Sequence, residues 1–118
     1  MSGIKEESGE RREFITGAKK QNAEGKGTPV LIPADAILEL AKHFEEGSRL
    51  HGKNNWCKGI PLSELMNSLE RHILAEKMGL VDERHDRAIL WNACVYVATK
   101  LRIQSGQLPQ ELNDLVQG

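Results

Sequence analysis

Aromatic residues are scarce, with two Trp, two Phe and one Tyr among 118 residues. A core must therefore rest on aliphatic side chains, and a chain of this length makes one domain of modest core. Cysteines are scarcer still. Cys57 and Cys94 are the only two, too few for a disulfide scaffold and spaced as neither a zinc knuckle nor a CxxC pair. They read as reduced thiols of a cytoplasmic protein. No charge dominates: 16 Lys and Arg against 17 Asp and Glu leave a net −1, so no global field draws the chain to nucleic acid or an anionic membrane. Long apolar runs are missing too, which excludes a membrane span and gives no sign of a signal peptide. Period-2 alternation is absent over any useful length, and this points to an all-α fold. The four histidines, His43, His51, His72 and His85, have no HExxH spacing. Walker, Rossmann and nucleophile-elbow patterns are also missing.

What is present is helical periodicity. Residues 1–27 are polar, charged and glycine-rich, a strap with too few aliphatics to fold alone. Residues 28–118 read as a single all-α domain. After the extended "GKGTPVLIP", Pro33 suits a first helical position, where its missing N–H costs nothing. Ile37, Leu40, Ala41 and Phe44 then form one buried stripe, and Gly47 or Gly52 allows termination. A second helix follows with Ser63 as N-cap, a stripe of Leu62, Leu65, Met66, Leu69 and Ile73, and Gly79 just past its end. A third runs from an Asp82 N-cap to Gly106. The short link makes these two helices an antiparallel hairpin. Between Ala88 and Ala98 the third helix is apolar almost all round, which predicts burial on several sides inside a helical oligomer. The tail "LPQELNDL" reads as a turn or two of helix packed back.

Chemistry is sought where polar groups interrupt these faces. Asn67 and Arg71 are four apart, as are Ser68 and His72, so each pair shares a face. His85, Asn92 and Thr99 are spaced by seven and fall nearly into line. Asn92 either satisfies itself in the core and sets helix register, or faces Arg71 and His72 across a cleft together with His85. Arg71 can grip a phosphate or pair with Glu70 or Glu64. The loop "RLHGKNNWCKGIPLS" offers Lys53 and Lys58 as cations, with Asn54 and Asn55 as amides for a base edge. Its Trp56 is either a core plug or a flat surface on which a base stacks, a contact worth roughly 1–3 kcal/mol. Glu45 and Glu46 close the first helix, and Glu83 and Asp86 lie three apart at the start of the third. Such carboxylates can share Mg²⁺, or simply complement helix ends and solvate a surface.

Four pieces, "IPADAILELAKHFEEG", "NNWCKG", "SLERHILA" and "HDRAILWN", in this order between about Phe14 and Asn92, resemble a small phage-type family described as the N-terminal domain of dATP/dGTP diphosphohydrolases. The resemblance implies a nucleotide ligand and kinship with the MazG-like all-α NTP pyrophosphatases, which are helical dimers or tetramers. Those enzymes cleave between the α and β phosphates, with carboxylates of two helices holding Mg²⁺. It implies Trp56, Lys58, Arg71, His72, His85 and Asn92 as ligand-binding residues, with Asn55 beside Trp56 at the base. Glu45, Glu46, Glu83 and Asp86 become the catalytic acids, with Glu46, Glu83 and Asp86 holding Mg²⁺ or Mn²⁺. The chain departs from the EExxE element of those enzymes, because Glu45–Glu46 is followed by Gly47, Ser48 and Arg49. "ERHD" matches their ExxD.

Two functions follow. One is a (d)NTP diphosphohydrolase giving monophosphate and pyrophosphate. The other, motivated by the incomplete acidic set, is a non-catalytic sponge needing no metal. It would hold a host immune nucleotide signal such as a cyclic dinucleotide or an ADP-ribose derivative. A helical oligomer serving only protein–protein contact is the plainest alternative. The expected partners are a nucleotide-derived small molecule and further copies of the chain, with no membrane and no specific nucleic acid, in the cytoplasm of a host if the protein is phage-encoded.

Overall fold

A computed structural model describes residues 11–115. Of the strap expected over residues 1–27, residues 1–10 lie outside the described residues. The chain divides into two compact units, which meet in sequence between Pro33 and Ala34.

The first unit holds structure that hydrophobic patterning did not indicate. Strands β1 (Arg11–Glu13) and β2 (Lys19–Gln21) pair antiparallel, with Arg12 opposite Lys20. The turn is closed by Phe14 N–H on the Ala18 carbonyl and Gly17 N–H on the Phe14 carbonyl, both 2.8 Å. Gly17 has φ +89°, which places a glycine in the left-handed position that a three-residue hairpin loop requires. Arg12 stiffens the pair by donating Nε–H to the Gln21 carbonyl. A 3-10 turn, Pro29–Leu31, follows.

The second unit is helical. Helix α1 (Ala34–His51) runs through Gly47 and stops at Gly52, whose φ of +94° supplies the left-handed C′ residue. A short 3-10 helix, Asn55–Lys58, carries Trp56. Helices α2 (Leu62–Lys77) and α3 (His85–Gln104) follow, and both end in the same way. Gly79 N–H bonds the Glu76 carbonyl and Leu80 N–H bonds Ala75. Gly106 and Gln107 repeat this on Ile103 and Arg102. These are Schellman closures, as the two glycines suggested.

Leu62 at the start of α2 shares a core with Ile103 at the end of α3, and His72 late in α2 meets His85 at the start of α3. The two helices are therefore antiparallel, as expected. Their core of Leu62, Leu65, Val95 and Ile103 is bordered by Phe44, Trp56, Trp91, Tyr96 and the tail leucines Leu108, Leu112 and Leu115. Helix α1 buries no residue completely, so its apolar stripe is only half covered.

The helix starts differ from expectation. Pro61, not Ser63, occupies the N-cap of α2. Ser63 sits one position into the helix, where its free N–H and its hydroxyl both donate to the Asp114 carboxylate, at 2.9 and 2.7 Å. These bonds hold the Asp114 carboxyl below its ordinary range. A cap normally supplied locally thus comes from the tail, 51 residues away. Asp82 is likewise not the N-cap of α3, which begins only at His85 after Arg84.

Thr99 is fully buried in α3 and its hydroxyl has no partner among the described residues. An orphan hydroxyl costs free energy that a methyl would not. Thr99→Val is expected to stabilise the protein by about 1 kcal/mol, read as a rise of several degrees in Tm. An unchanged or lower Tm would show that the hydroxyl is bonded in solution.

Candidate functional site

Helices α1, α2 and α3 enclose a polar cavity of about 550 Å³. Helix α1 contributes His43, Glu46 and His51, α2 contributes Ser68 and His72, and α3 with the residues before it contributes Glu83, Arg87 and Asn92. Ser68 and His72 share a face as their spacing required. Burial lowers the pKa of His43, which favours neutral imidazole, and its Nδ1 is buried without a partner among the described residues. Asn92 is buried and donates Nδ2–H to the Ala88 carbonyl one turn back, at 2.8 Å, so it both satisfies part of its amide and lines the cavity.

A chain of side chains runs along this wall, with Asp82 and His72 lining the cavity and His85 behind them. Asp82 Oδ1 lies 2.8 Å from His85 Nε2, and His85 Nδ1 lies 2.9 Å from His72 Nδ1. The hydrogen bond from His85 is the leading cause that holds the Asp82 carboxyl low. The carboxylate accepts from Nε2–H, which fixes the His85 tautomer from the network and turns a nitrogen lone pair toward His72. One of the two sequence readings set His85 across from His72, and the two rings meet in the structure.

A second cavity, about 340 Å³, lies on the other side of Gly47. Phe44, Trp56 and Trp91 form its aromatic wall, and Lys53, Asn54 and Asn55 its polar edge. Glu45 also lines it. The two cavities share Gly47, His51 and Trp91. Trp56 is half-buried against the core and meets Phe44 edge-on at 6.3 Å. The Arg102 guanidinium stands 4.5 Å from its ring centroid, a cation–π contact. Trp56 is therefore both a plug for the core and a wall of a cavity.

The predicted residues fall into three groups. Glu46, His72, Glu83 and Asn92 meet at the polar cavity, with His85 behind it. Glu45, Asn55 and Trp56 meet at the aromatic one. Asp86, Lys58 and Arg71 line neither. Lys58 and Arg71 are exposed. Asp86 receives two hydrogen bonds from Arg84, at 3.0 and 2.9 Å, which bring its carboxyl down to about 2. It is more than half exposed, so this pair adds little stability.

The carboxylates do not assemble as a shared helical face, because Glu83 precedes α3 while Asp86 lies inside it. Among the described residues, one group of three or more His, Cys, Asp and Glu brings its ligand atoms within 4.8 Å: His72, Glu83 and His85. An all-carboxylate Mg²⁺ site of Glu46, Glu83 and Asp86 does not fit this arrangement within one chain.

Arg84, Arg87 and Glu39 did not emerge from sequence reasoning. Glu39 Oε1 accepts from Arg87 Nε and Nη2, each at 2.6 Å, and lies 3.3 Å from Arg84 Nη1, while Oε2 meets Lys42 at 3.2 Å. The Arg87 hydrogen bond, followed by that of Lys42, lowers the Glu39 pKa. This cluster ties α1 to the start of α3 and sets Arg84 and Arg87 on the polar cavity. Its signal, one acid 45 and 48 positions from its two arginines, is invisible to local spacing. Both cysteines are free, with Cys57 accepting from Arg102 at 3.6 Å. Among the described residues no helix is long and apolar enough to cross a membrane.

The family model described as dATP/dGTP diphosphohydrolase, N-terminal, matches residues 16–107, most of the chain. No curated protein and no solved structure matches it.

Proposed function

The chain belongs to the dATP/dGTP diphosphohydrolase N-terminal family, and we propose on that premise that it binds a purine deoxynucleoside triphosphate across its two adjoining cavities and cleaves it to monophosphate and pyrophosphate. The observation that supports this most is the pairing of an aromatic cavity with a polar one across Gly47, His51 and Trp91. A base suits the first, stacked among Phe44, Trp56 and Trp91, with the Asn54 and Asn55 amides at its edge. Phosphates suit the second. Arg87 spends Nε and one Nη on Glu39, so its other Nη is left to bind an anion. His43, whose burial favours the neutral imidazole, and His51 supply further polar contacts there.

A divalent ion belongs to this reading, and Glu46 and Glu83 face the cavity as oxygen donors. Incubating the protein with dGTP or dATP and either Mg²⁺ or Mn²⁺ should yield dGMP or dAMP and pyrophosphate by chromatography. Absence of monophosphate at stoichiometric enzyme would reject hydrolysis.

The separation of Asp86 from Glu46 favours a second reading, a binder that holds a nucleotide signal without cutting it. Its mark is recovery of intact ligand after denaturing a tight complex.

We also propose that the chain works as a homo-oligomer. Leu90, Cys94, Val97 and Leu101 recur at 4-3-4 spacing along α3 and are exposed. They lie opposite the buried face of His85, Ala88, Asn92, Val95, Thr99 and Ile103. A helix apolar on two opposed faces buries the second against another molecule.

A further inference from the structure

We propose that His72, His85 and Glu83 form a mononuclear site for a divalent first-row transition ion, opening onto the polar cavity. The donors are two imidazole nitrogens and one carboxylate, with ligand atoms all within 4.8 Å of one another. That donor set suits borderline ions such as Mn²⁺, Fe²⁺, Co²⁺ or Zn²⁺, whereas Mg²⁺ demands oxygen.

The geometry is informative. With metal–nitrogen bonds of about 2.0–2.1 Å, a 2.9 Å span between the two Nδ1 atoms corresponds to an N–metal–N angle of about 90°. Two histidines at a right angle plus one carboxylate make a facial set that leaves open positions. His72 and Glu83 line the cavity, so those positions face it.

The support behind the ligands is also in place. His85 is only 6% exposed, and its outer nitrogen is held by Asp82 at 2.8 Å. A carboxylate behind a ligating histidine fixes its tautomer, aims the other nitrogen and raises its basicity. The Glu83 carbonyl accepts from His85 N–H at 3.0 Å, while its carboxylate has no hydrogen bond or ion pair among the described residues and is available. The site stands on these contacts alone. That its open positions receive phosphate oxygens rests on the nucleotide reading above.

The test uses the full chain, stripped with chelator and dialysed. Titration with Co²⁺, followed by its visible d–d bands, and with Zn²⁺ or Mn²⁺ by calorimetry should give one ion per chain. Millimolar Mg²⁺ should not displace it. His72→Asn and His85→Asn should each weaken binding at least about 100-fold, and Asp82→Asn about 10–100-fold. Cys94→Ala should leave binding unchanged, which excludes that thiol as a ligand.

Because His85 is buried, His72→Asn and Glu83→Gln provide the decisive comparison, with helicity checked by circular dichroism. No transition-metal binding up to millimolar concentration would overturn the site, leaving a plain N–H···N bond between the rings. So would native affinity in folded His72→Asn, or displacement by Mg²⁺. Histidine-dependent binding without turnover of dGTP or dATP would reject hydrolysis and keep the site. Turnover with Mg²⁺ alone, unchanged in His72→Asn, would do the reverse.

Discussion

Gly47→Leu is expected to raise the melting temperature of the protein and, in the same variant, to remove the thermal stabilisation that the proposed ligands dGTP and dATP should give the native chain. Gly47 lies in the interior of α1, where a glycine costs about 0.5–1 kcal/mol relative to alanine. It needs no left-handed conformation, and a Cβ added there meets nothing within 4 Å. Leucine should recover most of that helix propensity, a gain of roughly 4–8 °C per kcal/mol for a domain of this size. The empty space it enters is the wall shared by the two cavities. A branched side chain there separates the aromatic cavity from the polar one, so nucleotide affinity should fall at least about tenfold, or about 1.4 kcal/mol. Gly47→Ala should gain the stability and lose far less affinity. Undiminished ligand stabilisation in the leucine variant would move the nucleotide elsewhere on the molecule.

The second large effect concerns assembly. Val97→Lys combined with Leu101→Lys should convert the proposed oligomer to a monomer of 13.2 kDa by light scattering at micromolar concentration. Val97 is 55% and Leu101 59% exposed in the single chain, so neither lysine enters the core of α2 and α3. Helicity should survive. In an oligomer, however, each lysine would stand in an apolar seam, where a charge without a partner is strongly unfavourable. The substitution thus separates folding from association. A native chain that scatters as a monomer would remove the premise, and an oligomer that persists in the double variant would assign the contact to another face.

Much of the helical unit was legible in the sequence because its signals are local. Apolar periodicity marked the first two helices and a continuous apolar stretch the third; Gly79 and Gly106 marked two of the ends, and Gly52 was one of two candidates, with Gly47, for the other. The seven-residue spacing of His85, Asn92 and Thr99 correctly placed them on one face, now seen to be the buried one. The hairpin was not legible. Its strands have three residues each and are exposed on both sides, so no alternation between core and solvent exists to be read. Helix starts were missed for another reason: Ser63 is served by an acid 51 positions away, and a local capping rule cannot see it.

The candidate site divides along the same line. His72 and His85 came together because each projects from the inner face of a correctly drawn helix. Arg71 did not join them, and it is exposed where His72 is half-buried. Glu83 and Asp86 have the spacing of a shared face, but that spacing holds only within a helix, and α3 begins between them. Glu39 with Arg84 and Arg87 depends on how α1 crosses α3, which no local spacing specifies.

The Ser63–Asp114 clasp also orders events in time. Gly59, next to the Trp56 turn, leaves room for Leu108 and Leu112, since a Cβ there would stand 2.7 Å from Leu112. The turn and the head of α2 therefore close against a stretch made some fifty residues later in synthesis. Until residue 114 has been made, a nascent chain can hold α1, α2 and much of α3 as helices, yet it lacks one wall around Trp56. Trp56 fluorescence should report this final closure, lagging behind helix formation during refolding.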